Sequence, residues 1–433
     1  MGAAFVYSDQ LSRHVLRSDH PLRPARLRLT YELLRALGAF AGEGSRLVEP
    51  REATREEVLG FHEPAYRAAV EAVSYGLVVP GAERYGLSLY GDNPIFPGMY
   101  EAALLSTGAS LTAADLLLAG EVRVAFNSAG GLHHAMPGYA SGFCVFNDPV
   151  IAIQRFVARG LRVAYVDIDA HHGDGVQHAF YETDAVITVS LHESGHYLFP
   201  GTGFVEELGS GRGRGYSVNL PLAPLTDDEV YVWAFQEVVP PLLNAYRPDV
   251  LVTQLGVDTY YRDPLAHLKL TTTGYVQVVK ALAELAEGKP WLALGGGGYD
   301  LSAVARCWSL AYGVMLGREW PNELPQEHQE RLGDATLRDR EAPELSGEMR
   351  EAAKRFAEGS VQEVRRLVFP CHGLLLGVES RLVGTTIPLS PFLARKGVRI
   401  ISGGHPQTPV PSTSLRAGSG ASPLWTPLFR RLV

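Results

Sequence analysis

Hydrophobic residues along the chain follow two patterns, one typical of helices and one typical of buried strands. After Pro24, apolar residues recur near helical spacing from Leu27 to Phe40, which predicts an amphipathic first helix. Further helices are predicted at 101–119, 148–159, 227–245 and 273–287. Between them lie short β-branched runs that begin near residues 123, 162, 185, 249 and 290. Their nearly continuous hydrophobicity and their alternation with helices predict an α/β fold with an open, mostly parallel sheet flanked by helices.

Each predicted strand is followed by polar, glycine-rich sequence. The segments at these ends are NSAGGLHHAMPGY, DAHHGDGV, LHESG, GVDTYYRDP and GGGGYD. In an open α/β sheet, ligands bind beyond the carboxyl ends of the strands. We therefore expect His, Asp and Tyr side chains from five separate segments to meet in one site.

The composition of the chain changes after about residue 320. Residues 321–400 have more charge and fewer strand-like runs, which predicts a C-terminal helical extension. Within it, Ser360 and Glu363 have the spacing of a capping box, so a short helix is expected to begin there and to end before Pro370. Residues 401–433 are rich in Ser, Gly and Pro, as flexible tails are.

Composition and charge exclude several classes of protein. The 433 residues are 46% hydrophobic and 20% charged, which excludes a disordered or collagen-like chain. The net charge of -8 provides no electrostatic source for nucleic-acid binding. Neither a secretory leader nor an apolar run long enough to span a membrane is evident, and three dispersed cysteines suggest no disulfide framework. We predict a cytoplasmic protein with no nucleic-acid or membrane partner and no indication of oligomeric state.

The segment YVDIDAHH contains ligands suited to a divalent ion. Residues two apart on a strand face the same side, which places Asp167, Asp169 and His171 together at the strand's end. Asp258, at the end of VLVTQLGVD, supplies a further oxygen ligand. Two carboxylates and one imidazole leave an open position on tetrahedral zinc, as in catalytic sites. The aspartates could instead be caps or loop charges, and their spacing alone leaves that alternative open.

Three further side chains are candidates for proton transfer and charge stabilisation. His133 and His134 lie in a glycine-rich loop and could act as bases, although an arbitrary His-His pair is more often structural. Tyr299 follows Gly295–Gly298, where the backbone can approach a ligand and a hydroxyl can donate to an oxyanion. A packed turn residue is the commoner role for such a tyrosine.

Taken together, eight segments resemble, in order, the histone deacetylase family of the arginase/deacetylase superfamily. They are HPLRPARLRLT, GGLHHA, GFCVFND, YVDIDAHHGDGV, SLH, FPGTG, QLGVDT and LGGGGYDLSAVARCW. Within the family the chain looks like the bacterial acetoin-utilisation, AcuC-like branch. The resemblance implies an arginase-like fold for a deacetylase domain at 1–320, and metal-dependent removal of acetyl groups from lysine side chains.

The resemblance also implies a role for each candidate catalytic residue. The ligands of zinc, or of ferrous iron, fall on Asp169, His171 and Asp258. His134 matches the general base and acid, while His133 matches its electrostatic neighbour. The implied carboxylate partner of His134 is Asp174, and that of His133 is Asp167. Tyr299 matches the residue that polarises the carbonyl.

Substrate and potassium residues are implied in the same way. The substrate set consists of Asp92 at the rim, Gly142, Phe143 and Phe199 along a tunnel, Leu265 at its mouth, and Arg26 beside a cavity that attracts acetate. Asn93 stands where relatives usually have another residue, which weakens the match at Asp92. Two potassium sites are implied, one from Asp167, Asp169, His171 and Ser190, and one from Phe180, Thr183, Val186 and Tyr216.

The implied reaction is hydrolysis, in which the ion and Tyr299 polarise the acetyl carbonyl while His134 takes a proton from water. A histidine then protonates the amine, and the products are acetate and lysine. Leu265 occupies a position where acetylpolyamine hydrolases place carboxylates, which favours acetylated proteins over polyamines. The AcuC resemblance implies that the target is an acetylated metabolic enzyme such as acetyl-CoA synthetase.

Three alternatives to this reaction remain. A binuclear manganese ureohydrolase is disfavoured because Gly173 replaces the second aspartate of the D-A-H-x-D pattern. Cys144 could act as a nucleophile in a different class of enzyme. A non-catalytic acetyl-lysine binding module is disfavoured because every catalytic position is retained.

Overall fold

The computed structural model describes residues 2–374, so the predicted tail at 401–433 lies outside the described residues. The strands are β1 (Ala3–Val6), β2 (Ser45–Val48), β3 (Val124–Asn127), β4 (Val163–Asp167), β5 (Val186–Glu193), β6 (Ser217–Leu222), β7 (Val250–Gln254) and β8 (Trp291–Leu294). The α-helices are α1 (Ala25–Ala36), α2 (Arg55–Leu59), α3 (Pro64–Ser74), α4 (Met99–Leu118), α5 (Asp148–Val157), α6 (Asp174–Phe180), α7 (Asp228–Tyr246), α8 (Thr272–Leu285), α9 (Leu301–Leu316), α10 (Gln326–Leu332) and α11 (Gly347–Leu367).

The strands form one open sheet in the order β2-β1-β3-β8-β7-β4-β5-β6, and all neighbouring strands run parallel. The predicted α/β architecture is therefore confirmed. Every residue of β4 and β7 is buried, which explains the continuous hydrophobicity of these runs. The register places Asp167, the last residue of β4, beside Ser190 and Gln254 on the neighbouring strands.

Three of the elements that periodicity failed to predict, β2, β6 and α9, can be explained by their position in the fold. Strands β2 and β6 are the two edges of the sheet, and β6 contains Pro221, which is tolerated at an edge but is atypical of a strand. Helix α9 is buried on nearly every side and therefore has no polar face to produce an amphipathic period. No helix among residues 2–374 is long and apolar enough to cross a membrane.

One prediction in the C-terminal extension was wrong. Ser360 does not open a helix, because it lies buried inside α11. The cap of α11 is Ser346, whose side-chain oxygen accepts the Met349 N–H at 3.2 Å. The expected end before Pro370 is observed, and α11 packs against α7 and edge strand β6.

Candidate metal centre and active site

The polar segments that follow the strands meet at the carboxyl edge of the sheet. His133 and His134 follow β3, Asp167 ends β4, Asp258 follows β7 and Tyr299 follows β8. These strands lie side by side in the centre of the sheet, so their ends converge. A small cavity of about 20 Å³ forms there. Its lining includes Arg26, His133, His134, Gly142, Phe143, Asp169, His171 and Tyr299.

Asp169, His171 and Asp258 form a buried group whose ligand atoms all lie within 4.8 Å of one another. The Nδ1 atom of His171 is 2.9 Å from Asp258 Oδ2 and 3.2 Å from Asp169 Oδ1. The remaining carboxylate oxygens are held by the backbone, since Ala170 N donates to Asp258 Oδ1 at 2.8 Å and Gly297 N donates to Asp169 Oδ2 at 2.7 Å. The backbone therefore orients both carboxylates toward His171.

This group fits a divalent cation. Two buried carboxylates bring two negative charges into a dry site, and such charges require a compensating cation. Burial opposes charge on His171, yet its hydrogen bonds to the two aspartates outweigh burial and raise its pKa well above the usual value. Gly297 keeps the space open, since a Cβ there would lie 2.0 Å from Asp258 Oδ2. Oxygen and imidazole donors suit zinc and other first-row divalent ions.

His133 and His134 form two linked carboxylate pairs beside this group. His133 Nδ1 lies 2.8 Å from Asp167 Oδ2, and His134 Nδ1 lies 2.7 Å from Asp174 Oδ1. The two Nε2 atoms are 3.0 Å apart, so one donates a proton and the other accepts it. The sequence-predicted partners are thus in contact.

The electrostatics of the pair assign the donor and the acceptor. Burial lowers the pKa of His133, but the charges of Asp167 and Asp169 outweigh it and raise that pKa to about 9. Burial and the nearby charge of His133 lower the pKa of His134 to about 4. At neutral pH, His134 is therefore the uncharged partner, with its Nδ1–H donating to Asp174 and its Nε2 available as an acceptor.

The loop that carries the histidine pair is held by two residues whose roles sequence analysis missed. Asn147 Nδ2 donates to His133 O at 3.1 Å and to Ala135 O at 2.9 Å. Asp148 accepts the backbone N–H groups of Gly131 and Leu132 at 3.1 Å and 2.9 Å. Both residues belong to the segment GFCVFND, but the sequence of that segment does not reveal that it contacts a loop about fifteen residues earlier.

The turn that carries Tyr299 is held by a third residue whose role sequence analysis missed, Asp263. Burial raises the pKa of Tyr299 well above its usual value, so its hydroxyl stays protonated and can donate. The backbone N–H of Tyr299 donates to Asp263 Oδ2 at 2.9 Å. The other oxygen of Asp263 accepts the N–H groups of Leu265 at 2.9 Å and Ala266 at 3.2 Å. Asp263 therefore ties the tyrosine turn to the predicted rim loop.

The implied tunnel residues surround the histidine and tyrosine rings. The Phe199 ring lies edge-on to His134 with centroids 5.0 Å apart, and Phe143 lies edge-on to Tyr299 at 5.8 Å. Gly142 has a left-handed backbone conformation with φ +51°. A Cβ at this position would lie 2.4 Å from His134 Cδ2 and 2.9 Å from the Phe199 ring. A glycine is thus required both by backbone conformation and by space.

Three implied substrate residues, Asp92, Phe199 and Leu265, are not part of the cavity lining among the described residues. Asp92 is exposed, and its carbonyl accepts from His20 Nε2 at 3.1 Å. His20, whose role sequence analysis missed, stacks edge-on against Phe143 at 4.6 Å and so links the Asp92 loop to the tunnel. Leu265 is half-buried.

Arg26 lies where the cavity beside the candidate metal centre meets a second cavity of about 110 Å³. Its Nη1 donates to Gly298 O at 3.1 Å, and its guanidinium lies 5.2 Å from the centre of the Trp308 ring. Both cavities share Arg26, Leu22, Leu132 and Phe143 in their linings. A buried positive charge therefore stands between the site and the adjoining space.

The residues of the first implied potassium site lie at the carboxyl end of β4, and those of the second lie where β5 and β6 begin. Asp167 and Ser190 are partners in the β4–β5 register, next to the segment of Asp169 and His171. Phe180 ends α6, Val186 begins β5, and Thr183 lies between them. The carbonyl of Tyr216 accepts from Thr188 N at 2.9 Å. Potassium binding at either set remains a prediction.

This fold and this site define an arginase-like α/β protein with a candidate divalent-metal centre. Residues 20–315 match the family described as Histone deacetylase domain. The chain belongs to the histone deacetylase family.

The relatives found by comparison agree with this assignment. The acetoin utilization protein AcuC of Bacillus subtilis (strain 168) is 42% identical over 331 residues, covering 75% of this chain and 85% of that protein. AcuC of Staphylococcus aureus (strain Mu50 / ATCC 700699) is 38% identical over 357 residues, covering 77% and 91%. The crystal structure of an HDAC homolog from Aquifex aeolicus has a TM-score of 0.75 at 32% identity and covers 83% of this chain and 100% of its own. An HDAC homolog complexed with SAHA gives a TM-score of 0.75 at 33% identity over the same shares.

Proposed function

We propose that this chain is a zinc-dependent deacetylase that hydrolyses the acetyl amide of lysine side chains in cytoplasmic proteins. One observation carries the proposal: Asp169 and His171 of the Asp169–His171–Asp258 group line one cavity together with His134 and Tyr299. Membership of the histone deacetylase family supports the same reaction. Ferrous iron is the alternative metal, because the same donor set accepts it.

A divalent ion held by Asp169, His171 and Asp258 would supply Lewis-acid polarisation of the acetyl carbonyl and of water. His134 would act as the base through Nε2, since Asp174 holds its other nitrogen as the N–H donor. To reach that lone pair, the water would have to take the place of the His133 Nε2–H, which lies 3.0 Å away. The Tyr299 hydroxyl would donate to the carbonyl oxygen as negative charge develops there. Proton return from the histidine pair would release the lysine amine, with His133 stabilised in its charged form by Asp167.

The proposed substrate path follows from the aromatic residues. Phe143 and Phe199 offer apolar ring surfaces on two sides of a methylene chain without demanding hydrogen bonds from it. Asp92 would meet the substrate backbone at the rim, and Arg26 would attract the departing acetate into the second cavity. Leu265 provides no charge for the distal ammonium of a polyamine, so acetylated proteins are the favoured substrates.

The alternative of a thiol nucleophile finds little support. Cys144 is buried, and its thiol lies 3.2 Å from the carbonyl of Gly142. Burial raises the pKa of this thiol well above its usual value, so the reactive thiolate is disfavoured. Retention of turnover under thiol alkylation, together with its loss to a chelator, would exclude a thiol mechanism.

Replacement of Tyr299 by Phe tests the proposed function. We expect turnover of an acetyl-lysine peptide to fall by about 100- to 1000-fold, as for loss of an oxyanion donor, while bound metal stays constant. The measurements are kcat, KM and metal content after anaerobic purification, which also distinguishes zinc from iron. The exposed Tyr75, changed to Phe, serves as a matched control. Wild-type turnover by Tyr299→Phe would contradict the proposed role.

The same preparation decides between substrate classes. An acetylpolyamine assayed beside the acetyl-lysine peptide is expected to be the poorer substrate by kcat/KM. A clear preference for the polyamine would replace the protein-deacetylase proposal with the amidohydrolase alternative. Metal-loaded protein inert on every acyl-lysine peptide would instead favour a non-catalytic binding module.

A further inference from the structure

Two aspartates beyond the matched deacetylase domain are bonded to the segments that carry the site. Asp334 and Asp339 lie between α10 and α11, past residue 315 where the family match ends. We call them the carboxylate clamp. Their partners are Arg262, in the loop that follows Asp258, and Arg306, in α9, which begins two residues after Tyr299.

Asp334 holds Arg262 through two hydrogen bonds. Arg262 Nη2 donates to Asp334 Oδ2 at 2.8 Å, and Nη1 donates to Oδ1 at 3.3 Å. The same guanidinium reaches Asp300, which directly follows Tyr299, with Nε 3.2 Å from Asp300 Oδ2. Such a planar fork fixes direction as well as distance. Arg262 therefore connects the clamp to the turn that presents Tyr299.

Asp263, the residue next to Arg262, also contacts the turn that presents Tyr299. Asp263 accepts the backbone N–H of Tyr299, as described above. A shift of Arg262 would therefore move both Asp300 and the acceptor of the Tyr299 N–H. Two consecutive residues of one loop thus hold two consecutive residues of the other.

Asp339 holds the buried side of the same structure. Its Oδ1 accepts from Arg306 Nη1 at 2.8 Å and from the hydroxyl of Tyr260 at 2.7 Å. Its Oδ2 accepts the N–H of Thr272 at 2.8 Å. Tyr260 lies two residues after Asp258, so this carboxylate restrains the loop that carries a candidate metal ligand.

Asp334 and Asp339 also compensate the charge of a buried arginine. The Arg306 side chain is only 1% exposed, and its guanidinium also lies 3.5 Å from Asp334. Removal of a partner from a buried cation leaves an uncompensated charge, which is strongly unfavourable. The clamp is therefore the neutralising partner of a buried arginine as well as a tether.

We propose that Asp334 and Asp339 are positioning residues for hydrolysis, acting through Arg262 and Arg306 on the Tyr299 turn and the Asp258 loop. This inference rests on the proposed function of Tyr299. It assigns a role in the reaction to a segment that lies outside the matched domain.

The test is a double-mutant cycle between Asp334→Asn and Tyr299→Phe in the zinc-loaded full chain. We expect Asp334→Asn to lower kcat about tenfold on an acetyl-lysine peptide with little change in KM, which corresponds to about 1.4 kcal/mol in the wild-type background. In the Tyr299→Phe background, the same change should lower kcat less than about twofold. Asp334→Glu should recover most of the loss, and Glu341→Gln, an exposed acid of the same segment, should match wild type.

Amide hydrogen exchange of Tyr299 provides a readout independent of turnover. We expect faster exchange in Asp334→Asn, because the N–H bonded to Asp263 opens more often, and wild-type exchange in Glu341→Gln. Equal losses of kcat in both backgrounds, or unchanged exchange at Tyr299, would overturn the inference. If Asp334→Asn does not fold, Arg262→Gln breaks the same connection from the partly exposed side, and the same outcomes decide.

The two proposals can fail separately. Wild-type turnover by Tyr299→Phe would remove the proposed role of the hydroxyl. The exchange measurement would still show whether the clamp positions the Tyr299 turn, since it requires no substrate.

Discussion

The glycine at position 297 provides a sharp test of the metal centre. A Cβ added there would lie 2.0 Å from Asp258 Oδ2 and 2.9 Å from Asp169 Oδ2. Since Cβ contacts in proteins essentially never fall below 3.0 Å, the Asp258 oxygen would have to retreat by about 1 Å. Metal–ligand distances tolerate only about 0.2 Å. Asp258 cannot follow freely, because Ala170 N holds its other oxygen at 2.8 Å.

We therefore expect Gly297→Ala to weaken zinc binding by at least about 100-fold, the upper range for perturbed outer contacts. Zinc affinity is measured by competition with a chromophoric chelator, and thermal melting of the metal-free protein reports folding. Gly359→Ala is the matched control, because a Cβ at this helical position meets nothing within 4 Å. Unchanged zinc affinity in Gly297→Ala would show that the two aspartates do not jointly hold the ion.

Three other predictions concern the tunnel, the ion and the hydrogen bond between His267 and the buried Glu193. Gly142→Ala places a Cβ against the His134 ring, so turnover should fall about 100-fold, as for a 1 Å misplacement, with zinc content unchanged; normal turnover would refute this packing. Chelation should lower Tm, and added zinc should restore it, because free zinc at 100 times Kd raises the free energy of unfolding by about 2.7 kcal/mol. An unchanged Tm would argue against binding of zinc to the native state. The hydrogen bond to Glu193 raises the pKa of His267 above its ordinary 6.5, so its stabilisation is complete below pH 6.5 and is lost as pH rises through the raised value. His267→Gln should therefore lower Tm at pH 5.5 and leave it unchanged at pH 9, and an equal loss at both would exclude titration of this pair.

Much of the architecture was readable from local pattern. The buried strands β4 and β7 are continuous apolar runs, and strand alternates with helix, so an open α/β sheet was predictable. The i, i+2 spacing of Asp167, Asp169 and His171 was also informative, because alternate residues at a strand end face one way. Edge strand β6 and the uniformly buried α9 escaped prediction, since neither carries the period on which the inference depends.

Distances between segments far apart in the chain required the fold. No spacing rule places Asp258 Oδ2 2.9 Å from His171, or Asp334 against Arg262, since the strand order and helix packing bring them together. Protonation likewise depends on surroundings. Burial lowers the pKa values of both His133 and His134, yet the charges of Asp167 and Asp169 raise that of His133 to about 9, while the charge of His133 helps to lower that of His134 to about 4. Residue identity and local period thus specified which groups were available, whereas long-range packing set their geometry, charge and partners.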